Sequence, residues 1–141
     1  MTQINAYITF NGNCREAMTF YRGSLGGELT IQTIGESPLG ARCPAGKEHE
    51  IMHSSLVKGH LILMASDMMG EAKFVNVSNI ALSLNCSSEE EINAFYSSLS
   101  AGGTIIDPLK LQFWGALFAV FTDKFGIRWM LNYDKNLPEQ K

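Results

Sequence analysis

The chain has 141 residues, a formal net charge of −3 and a pI near 5.6, with Lys and Arg scattered singly. That length buries roughly 70% of the unfolded surface, enough for one sizeable core, and the lack of a basic stripe argues against a nucleic-acid partner. No apolar stretch, Leu61 to Ala65 included, approaches the roughly 20 residues that a bilayer demands, and Cys14, Cys43 and Cys86 form no CxxC pair behind an N-terminus without a basic-then-apolar leader, which predicts a reduced, cytoplasmic protein.

Ile4 to Phe10 reads as a strand by its aromatic and β-branched content, ended by Asn11-Gly12-Asn13. Asn13 is placed to cap a helix, with Glu16 reaching back in a variant capping box. Ala17, Tyr21 and Leu25 fall one turn apart on its buried face, and Gly26-Gly27 ends it. Leu29 to Ile34 alternates as a strand, Gly35 to Glu50 is loop, and Ile51 to Asp67 is a hairpin turning at Lys58-Gly59. The first half thus reads βαβββ. After a linker, Met68 to Lys73, the order repeats. Val77 to Leu84 is a strand, Ser88 and Glu91 form a capping box, and Ile92, Phe95, Tyr96 and Leu99 share a helix face. Gly102-Gly103 closes that helix, and strands follow at Thr104–Asp107, Ala116–Thr122 and Arg128–Tyr133 before a polar tail, Asp134 to Lys141, expected to be loose.

The halves also share residues. Phe20-Tyr21 followed by Leu25-Gly26-Gly27 recurs as Phe95-Tyr96, then Leu99 and Gly102-Gly103, 75 residues on. The expected architecture is α+β: two paired βαβββ modules, about 1–70 and about 74–135, within one domain spanning 1–141, forming a cupped eight-stranded mixed sheet with two outer helices. A pseudo-symmetric pair of this kind is expected to hold a small ligand in the cleft between its sheets.

The Tyr7 to Asn13 start, the Phe20-Tyr21…Gly26-Gly27 helix and the Thr122-Asp123-Lys124-Phe125-Gly126…Trp129-Met130…Asn132 ending resemble the PhnB-like branch of the vicinal oxygen chelate superfamily, which also holds glyoxalase I, bleomycin-resistance proteins and extradiol dioxygenases. The resemblance covers nearly the whole chain and implies a homodimer. Members of this branch carry a demethylubiquinone-methyltransferase label, yet no GxGxG turn follows a strand here to hold a nucleoside cofactor. The superfamily's metalloenzymes hold a divalent ion with four His, Gln or Glu side chains. The matching positions here are Ala6, Leu63 or Met64, Asn79 and Met130, which lack the imidazoles and carboxylates such an ion needs. The resemblance therefore implies that the usual metal centre is missing.

Other candidates come from the residues themselves. His53 is the best acid–base candidate, since an imidazole ordinarily titrates near neutrality. A histidine also stands at this point in PhnB-like sequences. His53, His60 and Asp67 are a candidate displaced metal site, with His49 in the loop. Strand parity puts His53, Ser55 and Val57 on one face and Met52, Ser54 and Leu56 on the other, while Leu61, Leu63, Ala65 and Asp67 share a face. Asp67, closing an apolar strand, is expected at a cleft rim or as a solvated strand end. Phe113-Trp114-Gly115 is the strongest binding signal, an aromatic pair in a connecting segment that suits either a ligand or a dimer contact. Trp129 and Met130 must face opposite ways, and the resemblance selects Met130 for the cleft. Met18, Met52, Met64, Met68 and Met69 are candidates for an adaptable apolar lining. Cys14 stands at a helix N-terminus, where a thiolate is favoured, but no histidine is tied to it.

These readings converge on a protein that binds an unknown small molecule through His53, Asp67, Phe113, Trp114 and Met130, without a metal cofactor. Two alternatives remain: a divalent-metal-dependent lyase, isomerase or dioxygenase of the glyoxalase type, and an antibiotic-sequestering resistance protein.

Overall fold

The computed structural model describes residues 2–37, 46–67 and 79–134, in two compact units that divide at Val75 and Asn76. Cys43, the Met68–Lys73 linker with its two methionines, the start of the strand expected from Val77, and the tail beyond Asp134 lie outside the described residues.

The first unit runs β1 (Ala6–Phe10), α1 (Cys14–Leu25), β2 (Glu28–Thr33), β3 (Ile51–Lys58) and β4 (Leu61–Asp67). Its sheet has the order β1-β4-β3-β2, in which β1 pairs parallel to β4 and the others pair antiparallel. The second unit repeats this as β5 (Leu82–Asn85), α2 (Glu89–Leu99), β6 (Thr104–Leu111), β7 (Ala116–Thr122) and β8 (Arg128–Asp134), ordered β5-β8-β7-β6 with β5 parallel to β8. The expected eight strands and two helices are present, hydrogen-bonded as two four-stranded mixed sheets.

Each helix covers one face of its own sheet. Ala17, Met18, Tyr21 and Leu25 of α1 are fully or almost fully buried with Phe10 of β1 and with Leu56, Leu63 and Ala65 of β3 and β4, against which α1 packs. In the second unit Ile92 and Leu99 of α2 are buried with Ala119, Phe121, Trp129 and Leu131. Tyr96 meets Phe121 edge-on at 5.9 Å. Met18 therefore belongs to the helix–sheet core, where an unbranched side chain fills irregular space.

The double glycines have one cause in both units. A Cβ on Gly27, whose φ is +100°, would stand 2.7 Å from the Val57 carbonyl oxygen of β3, and one on Gly103 would fall on the Thr122 carbonyl oxygen of β7. In each case the chain leaving the helix crosses the third strand of its module too closely for any side chain.

The two helices begin differently. For α2 the sequence reading holds: Ser88 Oγ accepts from Glu91 N at 3.0 Å, while the Glu91 carboxylate accepts from Ser87 N at 3.0 Å. For α1 the expected Asn13–Glu16 box is replaced, since Asn13 makes no side-chain cap bond. The cap is instead Asp67 at the end of β4, whose Oδ1 accepts from Cys14 N at 2.9 Å. Its Oδ2 accepts from Ile51 N, the first amide of β3, at 2.8 Å. The parallel pairing that sets Phe10 opposite Asp67 brings the carboxylate under the helix start.

Several boundaries shift from expectation, among them β5, which begins at Leu82 and leaves the described residues 79–81 outside the strand expected there. The hairpin turn lies at Gly59-His60, because Lys58 pairs with Leu61, so His60 is a turn residue rather than a strand residue. β6 runs on through Pro108 to Leu111, with register shifts around Asp107 that leave room for a residue lacking an N–H. β1 starts at Ala6 rather than Ile4, which is 97% exposed.

Replacing Asp67 by Ala strands two buried amides at once and is expected to cost about 2–4 kcal/mol. Lys110→Ala, which removes only the exposed 3.6 Å ion pair to Asp107, should cost less than about 1 kcal/mol. Urea denaturation of both variants checks this, and equal losses would deny Asp67 its anchoring role.

Candidate functional site

The sheet faces left uncovered by α1 and α2 carry most of the chemistry-bearing side chains, and they differ in character. In the first unit, alternation puts Tyr7 and Thr9 of β1, Met64 and Ser66 of β4, His53 and Ser55 of β3, and Thr30 and Gln32 of β2 on this face. Tyr7, Met64, Ser55 and Thr30 form one row across the sheet, and Gln32 stands opposite His53. The Tyr7 and His53 rings lie 6.0 Å apart at 34°, and Tyr7 is 49% exposed. This pair offers a phenol and an imidazole side by side on a hydroxyl- and amide-bearing surface. Sequence reading singled out His53 but left Tyr7 as an ordinary strand residue; shared parity across the β1–β4–β3 pairing was the missing signal.

Asp67 is on the other face. It is 2% exposed, neither at a rim nor solvated, and its two oxygens are committed to Cys14 N and Ile51 N. His53 faces away from it, and His60 sits in the hairpin turn. The structure therefore does not bring His53, His60 and Asp67 together, and among the described residues no three His, Cys, Asp or Glu side chains are grouped to hold an ion.

The positions at which the superfamily's metal is implied do not fit such an ion either. Ala6 and Leu63 are paired with each other on the face beneath α1. Met64 and Met130 offer thioethers, which suit soft rather than hard cations. Asn79 offers one amide ahead of β5.

In the second unit the uncovered face is aromatic and thioether-rich. Met130, opposite Val120 and Ser83, shares it with Asn132 and Phe118. Trp129 turns the other way, into the core, where its indole N–H donates to Asp123 Oδ2 at 2.8 Å. The opposite orientation of Trp129 and Met130 is as strand parity predicts. Asp123 also accepts from Phe125 N and Ile127 N, so the Asp123–Gly126 motif builds the β7–β8 turn and fixes the tryptophan.

The aromatic segment sits at the other end of β7. Gln112 N donates to the Ala116 carbonyl and Gly115 N to the Gln112 carbonyl, closing a tight β6–β7 turn that has Phe113 and Trp114 at its tip. Their rings meet edge-on at 4.9 Å, and Trp114 in turn meets Phe118 at 5.9 Å. Phe113 is 96% exposed and Trp114 49%. Three aromatic rings thus form a chain from the solvent to the uncovered face. Phe118 escaped the sequence reading because it looked like one more apolar residue of a strand.

The two described cysteines are quiet. Cys14 is fully buried, with its Sγ 3.6 Å from Ser54 Oγ, while Ser54 Oγ donates to the Ala65 carbonyl at 2.7 Å. Burial pushes the Cys14 thiol up to about 11, with the charge of Asp67 adding to the rise and the Ser54 bond and Arg15 opposing it. Cys86 is pushed up to about 12, by burial first and then by Glu91. The helix N-terminus does not make Cys14 a thiolate, because loss of solvation outweighs the dipole.

Residues 3–131 match the family described as Glyoxalase/Bleomycin resistance protein/Dioxygenase superfamily. Protein YjdN of Escherichia coli (strain K12) is 33% identical over 146 residues, covering 97% of this chain and 99% of that protein. Among solved structures, protein PA1353 from Pseudomonas aeruginosa is 40% identical with a TM-score of 0.85, covering 95% of this chain and 98% of its own. The PhnB protein from Bacillus cereus is 26% identical with a TM-score of 0.76, covering 94% and 99%. The chain belongs to the glyoxalase/bleomycin resistance/dioxygenase superfamily.

Raised thiol pKa values make stability depend on pH in one direction. Below the ordinary thiol value of 9.0 both folded and unfolded chains hold the proton. Above it the unfolded chain releases the proton while folded Cys14 keeps it to about 11, so stability falls across that window. Urea midpoints taken at pH about 8 and about 10.5 should drop further for the parent than for Cys14→Ser, and equal drops would contradict the assignment.

Proposed function

We propose that, on this superfamily's scaffold, the chain binds a small molecule on the aromatic uncovered face of its second unit, and that it does so without the superfamily's divalent metal. The observation that carries this reading is the run Phe113–Trp114–Phe118, with Met130 on the same face as Phe118. A ring as exposed as Phe113, buttressed edge-on by a second ring, is a preformed surface for a flat or apolar ligand, one that loses little side-chain freedom on binding. Met130 supplies a deformable neighbour. On the first unit, His53 beside Tyr7 is the best candidate for a polar contact or for acid–base work, while Asp67 supports the fold behind that face.

The absence of metal is part of the proposal and rests on the chemistry of the implied positions. An ion held by Met64, Met130 and one Asn79 amide would not recover its dehydration cost. The same reading takes the protein to be a cytoplasmic homodimer, supported by the dimers common in the superfamily. No helix among the described residues is long and apolar enough to cross a membrane.

A dialysis screen against metabolites and antibiotics, followed by metal analysis of protein purified without chelator, tests this. For a ligand found by the screen, Trp114→Ala should weaken binding at least tenfold while leaving the fold intact, in keeping with the roughly 2 kcal/mol or more that a buried aromatic anchor commonly contributes; His53→Ala should weaken it less. Near-equimolar zinc, nickel or iron would instead favour glyoxalase-type chemistry, and binding confined to antibiotics would favour sequestration. If Trp114→Ala yields monomers, the aromatic segment belongs to a dimer contact.

A further inference from the structure

Arg128, the first residue of β8, is the group that neither the fold nor the aromatic platform uses. Parity places it on the uncovered face, since Trp129 beside it is buried beneath α2 and Met130 and Asn132 follow on the same side as Arg128. Its backbone pairs with Thr122 of β7. The side chain is half-buried, and its Nε is out of solvent with no hydrogen-bond acceptor among the described residues. Arg128 makes no ion pair among the described residues.

The acids of the neighbouring strands are committed elsewhere. Asp107, opposite Val120, lies 3.6 Å from Lys110 Nζ. Asp123 holds the Trp129 indole and two turn amides on the covered side. Asp134, at the other end of β8, is six residues away, or about 20 Å along a strand. A guanidinium cannot shed its charge by losing a proton, and withdrawing part of it from water without an anion costs free energy. The fold bears that cost at a position where no described residue supplies an acceptor.

We propose that Arg128 is the anion-binding residue of the second unit's uncovered face, so that the ligand class is an amphiphilic organic anion: a carboxylate, sulfonate or phosphate group at Arg128, with an apolar body running over Val120 and Met130 toward Phe118 and Trp114. The proposal deepens the platform reading and rests on it for the apolar half only. Planar oxyanions suit a guanidinium because two of its N–H groups can donate in parallel. The apolar residues between Arg128 and Phe118 on this face keep water from competing for that contact.

Two probes of one skeleton test the idea. 1-Anilinonaphthalene-8-sulfonate carries the anion and N-phenyl-1-naphthylamine does not, and both report binding by fluorescence. The parent protein should bind the sulfonate at least tenfold more tightly than the neutral dye, and rising salt should narrow the gap. Arg128→Gln should lower sulfonate affinity about tenfold and leave the neutral dye unchanged, while Arg128→Lys, which keeps the charge but loses the planar fork, should recover part of the loss. Trp114→Ala should weaken both dyes. Equal parent affinities for the two dyes, or sulfonate binding untouched by Arg128→Gln, would overturn the assignment of Arg128. If only Trp114→Ala is without effect, the platform reading fails and the anion site stands. Should Arg128→Gln not fold, the parent's salt dependence and the Arg128→Lys variant still decide.

Discussion

The first unit is organised around a buried carboxylate that serves two backbone amides. Asp67 closes β4, caps the first turn of α1 through Cys14 N and receives the first amide of β3 through Ile51 N. The first helix and the two strands of the later hairpin are thereby fixed to one point in the sheet. The arrangement depends on burial. In water each amide would have a solvent partner and the carboxylate would gain little, whereas inside the unit the same groups have no alternative and each bond carries the full cost of being left unmade. Ser54 and Cys14 extend the polar cluster by one more layer, and burial, with the nearby Asp67 charge adding to it against the Ser54 bond, keeps the thiol there protonated rather than activated.

That interaction also leaves the opposite face free. With the carboxylate turned under the helix, the side chains on the far side of β1, β3 and β4 carry hydroxyl, phenol and imidazole groups, with Gln32 and the exposed Glu28 beside them on β2. The second unit divides its labour the same way with different residues: Asp123 holds the tryptophan and the turn on the covered side, and the uncovered side carries aromatic, thioether and guanidinium groups together with Asn132 and, opposite Val120, Asp107. One topology, repeated, thus presents two chemically distinct surfaces.

What the sequence disclosed follows from the range of the forces involved. The Ser88–Glu91 cap, the bounds of β7 and the opposed faces of Trp129 and Met130 are local matters of three or fewer residues, and local periodicity reported them. The double glycines were recognised as helix stops, but their close approach to β3 and β7 became visible only with the strands in place. Asp67 was misplaced because its partners lie 53 and 16 residues away, so in the sequence it resembled any polar residue at a strand end. Tyr7 beside His53, and Arg128 with no ion pair among the described residues, are likewise products of strand pairing. The turn shift that moved His60 off its strand followed from the Lys58–Leu61 register, which the residues Lys58-Gly59-His60 alone do not determine.

The contrast between the two helix caps bears on how the chain acquires its structure. The cap of α2 is written within four residues of the helix it starts, so that segment has its terminal hydrogen bonds as soon as it exists. α1 comes first in the chain, yet its cap belongs to the last strand of its unit. A nascent chain leaves the ribosome N-terminus first, and contacts of long sequence separation are the slow ones to close. The N-terminal cap of the earlier helix therefore forms only when β4 has been synthesised and has docked beside β1.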